Sequence, residues 1–289
     1  METRQRPKHP LIAELLTSGL SVSAANIATL PMDVLKVRLQ LQTAQLAGSP
    51  SGLLMTGMHI IRSEGLTGLY RGLNPAVARG LFYGGVRLGC YTPIKTLLGA
   101  DPEHLSLLRN IAAGSMSGAM AAAASNPMDL VKTQLQAQNS PFHSSSQVIR
   151  HVIKNEGLSG LWNGTAPSMT RAAVLTAAQC ATYDEVKKAW KRLTGWEDAF
   201  PTHLASSLAT GLVTTTITAP VDVVKTHMFM GGVHKGQSVL QCAAAIVKRD
   251  GMRGLLRGWT AQYVRLGPQT TVIFVVMEPL RKLSGLDAL

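Results

Sequence analysis

Runs of basic residues are missing from this chain, although lysine and arginine outnumber aspartate and glutamate by 28 to 16 and the formal charge is +12. The cations are spread through every third of the sequence, so they form no patch of the kind that follows a nucleic-acid backbone, and no nucleic-acid partner is expected. An anionic membrane surface or a small anionic substrate suits that distribution better. Cysteine is scarce as well: Cys90, Cys180 and Cys242 are far apart and odd in number, which argues against a disulfide framework and reads as small packing residues. No nucleophile–base pair, metal-ligand cluster or phosphate loop recurs, so the sequence does not read as an enzyme and neither cofactor nor metal is expected.

Charge itself is absent from three long stretches. Residues 15–32, 110–128 and 199–221 contain no Asp, Glu, Lys or Arg, and each is close to the roughly 20 residues an α-helix needs to cross a hydrocarbon layer about 30 Å thick. Between them lie apolar stretches at 73–98, 166–192 and 259–283, each interrupted by arginine. Residues 1–10 mix Arg4, Arg6 and Lys8 with Glu2, too short and too mixed for a transit peptide, so targeting is expected to be internal.

What is present is one unit written three times. Pro31-x-Asp33-x-x-Lys36, Pro127-x-Asp129-x-x-Lys132 and Pro220-x-Asp222-x-x-Lys225 close the three charge-free stretches. Glu64-Gly65, Glu156-Gly157 and Asp250-Gly251 follow in phase, each leading to Gly72, Gly164 or Gly258. Self-similarity at this period places the repeats at 1–100, 101–197 and 198–289. Each reads as a span with a proline kink, a short amphipathic helix (Leu53 to Arg62, about Ser145–Asn155, about Gln237–Asp250), and a second span. Small residues at Gly19, Ser23 and Gly114-x-x-x-Gly118 suit close helix contact. Six spans put both termini on one side. The segments holding the short helices carry 13 Lys and Arg against 11 in the tails and opposite connections, a difference too small to set orientation.

Asp33, Lys36 and Gln40 share one helical stripe, as do Asp129, Lys132 and Gln136, whereas Asp222 and Lys225 are followed by Phe229. Six equivalent charges at one depth could pair as local ion pairs or between helices in a ring. Arg79, Arg171 and Arg265 each lie 13 residues before an equivalent position, Thr92, Asp184 or Glu278. An arginine within a span costs roughly 2.5–3.5 kcal/mol on insertion scales, so three at one level read as a cationic cup for carboxylates, with Arg87 and Gln179 two turns further on.

These three in-phase motifs closely resemble the mitochondrial carrier family over nearly the whole chain. Arg265-Leu-Gly-Pro-Gln-Thr, Arg87-Leu-Gly-Cys-Tyr-Thr and Thr170-Arg-Ala-Ala-Val-Leu-Thr-Ala-Ala-Gln are similar to its dicarboxylate, oxoglutarate and uncoupling-protein group, and the Arg-Arg-Arg-Met-Met-Met run of the adenine-nucleotide exchangers is absent. The resemblance implies an all-α membrane protein with six transmembrane helices in three pseudo-symmetric repeats and short matrix-side helices, multi-pass in the mitochondrial inner membrane and expected as a monomer. It implies a matrix gate pairing Asp33 with Lys132, Asp129 with Lys225 and Asp222 with Lys36. Gln40 and Gln136 would brace it, and Phe229 would leave one bridge unbraced. A cytoplasmic gate would comprise Tyr91, Lys95, Tyr183, Asp184, Lys187, Glu278 and Arg281, with Thr92 breaking the pattern. The substrate would be a small anion, a dicarboxylate or phosphate, bound at Arg79, Arg87, Arg171, Gln179 and Arg265. Cardiolipin would bind at the turns of Gly72, Gly164 and Gly258. Exchange of carboxylates by alternating access is the leading expectation; a proton or fatty-acid-anion leak of the uncoupling-protein type is the alternative, and a soluble nucleic-acid- or partner-binding helical repeat a remote one.

Overall fold

A computed structural model describes residues 10–41, 52–98, 107–138, 140–194, 200–230 and 238–265, and single positions at 269, 272 and 276. All the described regular structure is helical: α1 (Pro10–Leu41), α2 (Leu53–Glu64), α3 (Leu73–Leu97), α4 (Leu107–Ala124), α5 (Asn126–Gln136), α6 (Ser145–Glu156), α7 (Thr165–Thr194), α8 (Phe200–Phe229) and α9 (Val239–Asp250). A last helix begins at Trp259 and is continuous to Arg265. The repeated proline acts differently in the three copies. Pro31 and Pro220 stay inside α1 and α8. In the second copy the helix breaks at Ser125, and Pro127 sits in the first turn of α5, where its missing N–H leaves nothing unpaired. Asn126 uses the break: its amide donates to the main-chain oxygens of Leu161 and Asn163, and its own oxygen accepts from Ser168.

The long helices follow one another around a bundle, α1 against α3, α3 against α4, α4 against α7, α7 against α8, with α8 meeting α1. Small residues set the approach. A methyl on Gly80 would lie 3.0 Å from Ser23 and Asn26, one on Gly114 would lie 3.2 Å from Thr176, and one on Gly19 would lie 3.0 Å from Leu81. Among the described residues no helix is long and apolar enough, by mean hydropathy, to cross a membrane on its own. The reason is visible in α8, where Thr210, Thr214, Thr215, Thr216 and Thr218 dilute the apolar run. Several of these hydroxyls are satisfied locally, Thr214 and Thr218 donating to the carbonyls four residues back, as do Ser21, Thr29 and Thr176, whereas the buried Thr210 hydroxyl has no partner.

The three short helices have equal length and one design. Thr56 and Ile60, Val148 and Val152, Cys242 and Ile246 are buried one turn apart, and each helix packs under the proline segment of its own repeat: Ile60 on Val34 and Leu35, Val148 and Val152 on Leu130, Val131 and Leu135, Ile246 and Cys242 on Val223 and Val224. Each fully buried aliphatic contributes about 1.5–3 kcal/mol. The opposite faces expose Leu54, Met58, Ile149, Ile153 and Leu240. Each short helix ends at a glycine, and after a 3-10 turn a second one, Gly72, Gly164 or Gly258, opens the next long helix at φ 81, 75 and 76.

Arg38, the largest fully buried side chain, joins α1 to α2 by two hydrogen bonds to the Glu64 carboxylate, 2.6 and 2.8 Å. Arg71 adds a third contact at 3.3 Å. The Arg38 hydrogen bond, with the charges of Arg38 and Arg71, holds the Glu64 carboxyl below its ordinary value of 4.5. Because the folded value is lowered, this ion pair stabilises the protein above pH 4.5 and is lost as the pH falls through the lower folded value. Thermal unfolding in detergent should show the parent ahead of Glu64→Gln near neutral pH, with the gap closing below the ordinary carboxylate value; a gap unchanged into strong acid would contradict it.

Candidate functional site

The three repeats meet where the proline segments converge. Asp33 of α1, Asp129 of α5 and Asp222 of α8 are buried, each with Oδ2 against a lysine of the following repeat: Lys132 at 2.5 Å, Lys225 at 2.7 Å and Lys36 at 2.9 Å. These are the three pairings that the resemblance implied. Each Oδ1 meets an arginine from the remaining repeat: Asp33 pairs with Arg265, Asp129 with Arg79 and Asp222 with Arg171. Every carboxylate therefore ties all three repeats together.

Six cations surround three acids in this cluster, an excess of three positive charges. The arginine side chains are 18–25% exposed and the lysines 12–14%, so water reaches the cluster more from the arginine side. The cavity among these charges is also lined by Gln40, Gln136 and Phe229. Burying ions costs several kcal/mol each, and the ion pairs offset that only while every partner is in place. Arg79 has a second support, its guanidinium carbon 5.1 Å from the centre of the Tyr83 ring.

The supports beneath the cluster differ from those expected. Gln40 accepts a hydrogen bond from Thr226 at 2.7 Å and makes none to the Lys36–Asp222 pair. The buried amide of Gln136 has no hydrogen-bond partner. The third position is not bare: the Phe229 ring centre lies 5.1 Å from Lys225 Nζ and the ring fills the core of the second repeat with Leu130, Val131 and Leu161. The three turn glycines press on these same residues. A methyl on Gly72 would lie 3.3 Å from Gln136, on Gly164 2.7 Å from Phe229 and on Gly258 2.9 Å from Gln40. Glycine is thus required there twice over, for positive φ and for contact.

The other expected residues are not drawn in. Arg87 is partly exposed and Gln179 exposed, and neither lines the cavity. Tyr91 and Lys95 are partly buried near the far end of α3 and Thr92 is exposed. The side chains of Tyr183, Asp184 and Lys187, and both Glu278 and Arg281, lie outside the described residues. Tyr83, Phe229, Thr226 and Arg38 were not anticipated as contributors; only Arg38 had a usable signal, a base two residues past Lys36 with an acid, Glu64, before the glycine turn.

A family model described as mitochondrial carrier protein matches three times, over residues 7–102, 103–193 and 197–286. The chain belongs to the mitochondrial carrier family. It is 34% identical to the mitochondrial substrate carrier family protein ucpB of Dictyostelium discoideum, over 94% of this chain and 96% of that one. It is 35% identical to the mitochondrial uncoupling protein 1 of Arabidopsis thaliana, over 94% and 93%. It is 33% identical to the dicarboxylate carrier UCP2 of Danio rerio, over 93% and 91%. Membership makes this carrier a transporter with six membrane helices in three repeats, and implies the mitochondrial inner membrane. It supplies the membrane assignment that hydropathy alone does not.

Removing one acid of this carrier strands two cations. Asp222→Asn should cost about 3–5 kcal/mol, because Lys36 and Arg171 lose their shared partner. Adding Lys36→Gln to it should recover part of the loss in a thermal-unfolding cycle; an undiminished loss in the double variant would contradict the shared-partner account.

Proposed function

We propose that this carrier exchanges small carboxylate anions by alternating access, and that the charge cluster is its matrix gate in the closed position. The observation that carries the reading is the double use of each aspartate: the arginines suited to grip an anion are the same ones that hold the gate carboxylates. A carboxylate ligand offers Arg79, Arg171 and Arg265 the bidentate geometry they prefer. As it takes them, each aspartate keeps only its lysine, and the tie among three repeats is reduced to one between two. The anion thus binds the intermediate better than the closed state, which is what lowers a transport barrier. The excess of three positive charges favours an anion over a cation or a neutral solute, and a dicarboxylate neutralises most of it.

Arg87 and Gln179 would meet the anion earlier, on its way from the arginine side. Tyr91, Lys95, Tyr183, Asp184, Lys187, Glu278 and Arg281 would form the cytoplasmic gate, with Thr92 leaving it one bridge short. That shortage favours a resting state closed toward the matrix. At the turns of Gly72, Gly164 and Gly258, exposed helix N-termini suit the phosphates of an acidic lipid such as cardiolipin. The carrier would act as a monomer, since the three repeats complete the cluster within one chain.

In proteoliposomes, labelled malate, oxoglutarate, phosphate and sulfate should be tested as exchange substrates beside proton flux. Anion exchange should saturate, and Arg265→Leu should abolish it in protein that still inserts and folds. Wild-type exchange in Arg265→Leu would contradict the site. Proton flux without exchange of any anion would favour the leak that the relatives named uncoupling proteins suggest.

A further inference from the structure

Three residues before each aspartate of the cluster, and just before each repeated proline, stand Leu30, Asn126 and Ala219, all buried. Three residues before each cavity arginine stand Ala76, Ser168 and Gln262, buried as well. The two sets therefore lie one turn from the acid and one turn from the arginine of the same repeat. They are alike in place and unlike in chemistry.

In the second repeat the two sets are hydrogen-bonded. Ser168 donates to Asn126 Oδ1 at 2.9 Å, its single hydrogen shared with the Gly164 carbonyl at 2.8 Å. Asn126 Nδ2 donates to the main-chain oxygens of Leu161 at 3.2 Å and Asn163 at 2.9 Å. The Asn163 side chain donates in turn to Glu156, the last residue of α6. Both polar atoms of the Asn126 side chain are paired where water does not reach, so the buried amide fixes geometry. The other two junctions are weaker. Leu30 and Ala76 have no side-chain group that can hydrogen-bond. Ala219 has none either, and Gln262 donates to Thr218 at 3.1 Å with its own oxygen unpaired. The break at Ser125 matters here, because the other two proline segments continue α1 and α8 whereas α5 starts anew. Asn126 fastens that new start to the first turns of α7.

We propose that Asn126 is a positioning residue for exchange: it joins Asp129 and Arg171 in one rigid unit, so that an anion drawing Arg171 also displaces Asp129. The inference rests on the reading of the cluster as a gate that an anion opens. The two charges serve different neighbours, since Asp129 holds Arg79 of the first repeat and Lys225 of the third, whereas Arg171 holds Asp222 of the third. With their spacing fixed, a pull on the arginine reaches every tie that the second repeat's acid makes. Without Asn126, α7 follows the anion while α5, and α6 packed beneath it, stay behind.

Spin labels on the full chain in proteoliposomes test this, after Cys90, Cys180 and Cys242 are replaced by alanine. Labels at Ser146→Cys and Thr170→Cys, exposed on α6 and α7, report distances within the second repeat, and labels at Ser146→Cys and Leu240→Cys report its separation from the third. The probe is whichever of malate, oxoglutarate, phosphate and sulfate the parent exchanges fastest. In the parent it should shift the 146–240 distances and leave the 146–170 distances unchanged. In Asn126→Leu, which copies the first repeat, it should shift the 146–170 distances and leave the 146–240 distances unmoved. Saturated exchange in that variant should fall at least about tenfold, at a KM within about twofold of the parent. Combining Ser125→Thr, Asn126→Ala and Ser168→Gln copies the bond between Thr218 and Gln262 and should recover part of both properties. Lost stability alone lowers the amount of folded protein and does not interchange the responses of the two label pairs. A shift of the 146–170 distances in the parent, or a parent-like response in Asn126→Leu, overturns the role of Asn126 and leaves the gate standing. A parent that exchanges none of the four anions, or whose 146–240 distances ignore the one it exchanges, overturns the gate and the inference together.

Discussion

A carboxylate has two oxygens, and in this protein both are spent. Asp33, Asp129 and Asp222 each give Oδ2 to a lysine and Oδ1 to an arginine, drawing one cation from each of the other two repeats. No acid can leave its place without releasing two helices, and three acids cannot neutralise six cations. The closed cluster is therefore held together and short of negative charge at once. On the reading proposed above, such a surplus would draw an anion, and that anion would compete for the groups that hold the cluster closed.

The rest of the fold holds that cluster in register. The short helices brace the proline segments from outside through Ile60, Val148 with Val152, and Cys242 with Ile246. The turns that follow set Gly72, Gly164 and Gly258 against Gln136, Phe229 and Gln40, so the start of each even-numbered span touches the floor of the cluster in the next repeat. A methyl at any of the three would stand only 2.7–3.3 Å from these side chains, so no side chain larger than glycine fits between the two levels without displacing one of them.

Much of this was legible in the sequence. The three short helices fall where the amphipathic stretches place them, and the lysine partners of the three aspartates follow from the family resemblance. The arginine pairings were not legible, because spacing placed Arg79, Arg171 and Arg265 at one level without showing that this level adjoins the aspartates. Phe229 read as a lost brace because residue type was compared with glutamine; its ring supplies a contact of another kind to Lys225. The bonds from Arg38 to Gln136 and from Gln134 to Phe229 escaped notice because they end on main-chain oxygens, and nothing in side-chain chemistry links an arginine with a glutamine. The six spans were legible from their charge pattern, although mean hydropathy finds none among the described helices; threonine hydroxyls such as those of Thr214 and Thr218 bond back to their own helix, so they count as polar in the sequence and cost little in the fold.

The central claim is that an anion opens the cluster by taking its arginines. Spin labels at Met58, Ser146 and Leu240, on the exposed faces of the three short helices, would measure it as inter-label distances in reconstituted protein. Without anion the account predicts one narrow distribution for each pair. With an anion that the same preparation exchanges, it predicts a second, longer population that disappears in Arg265→Leu. Distances unchanged by an anion that is being exchanged would contradict it.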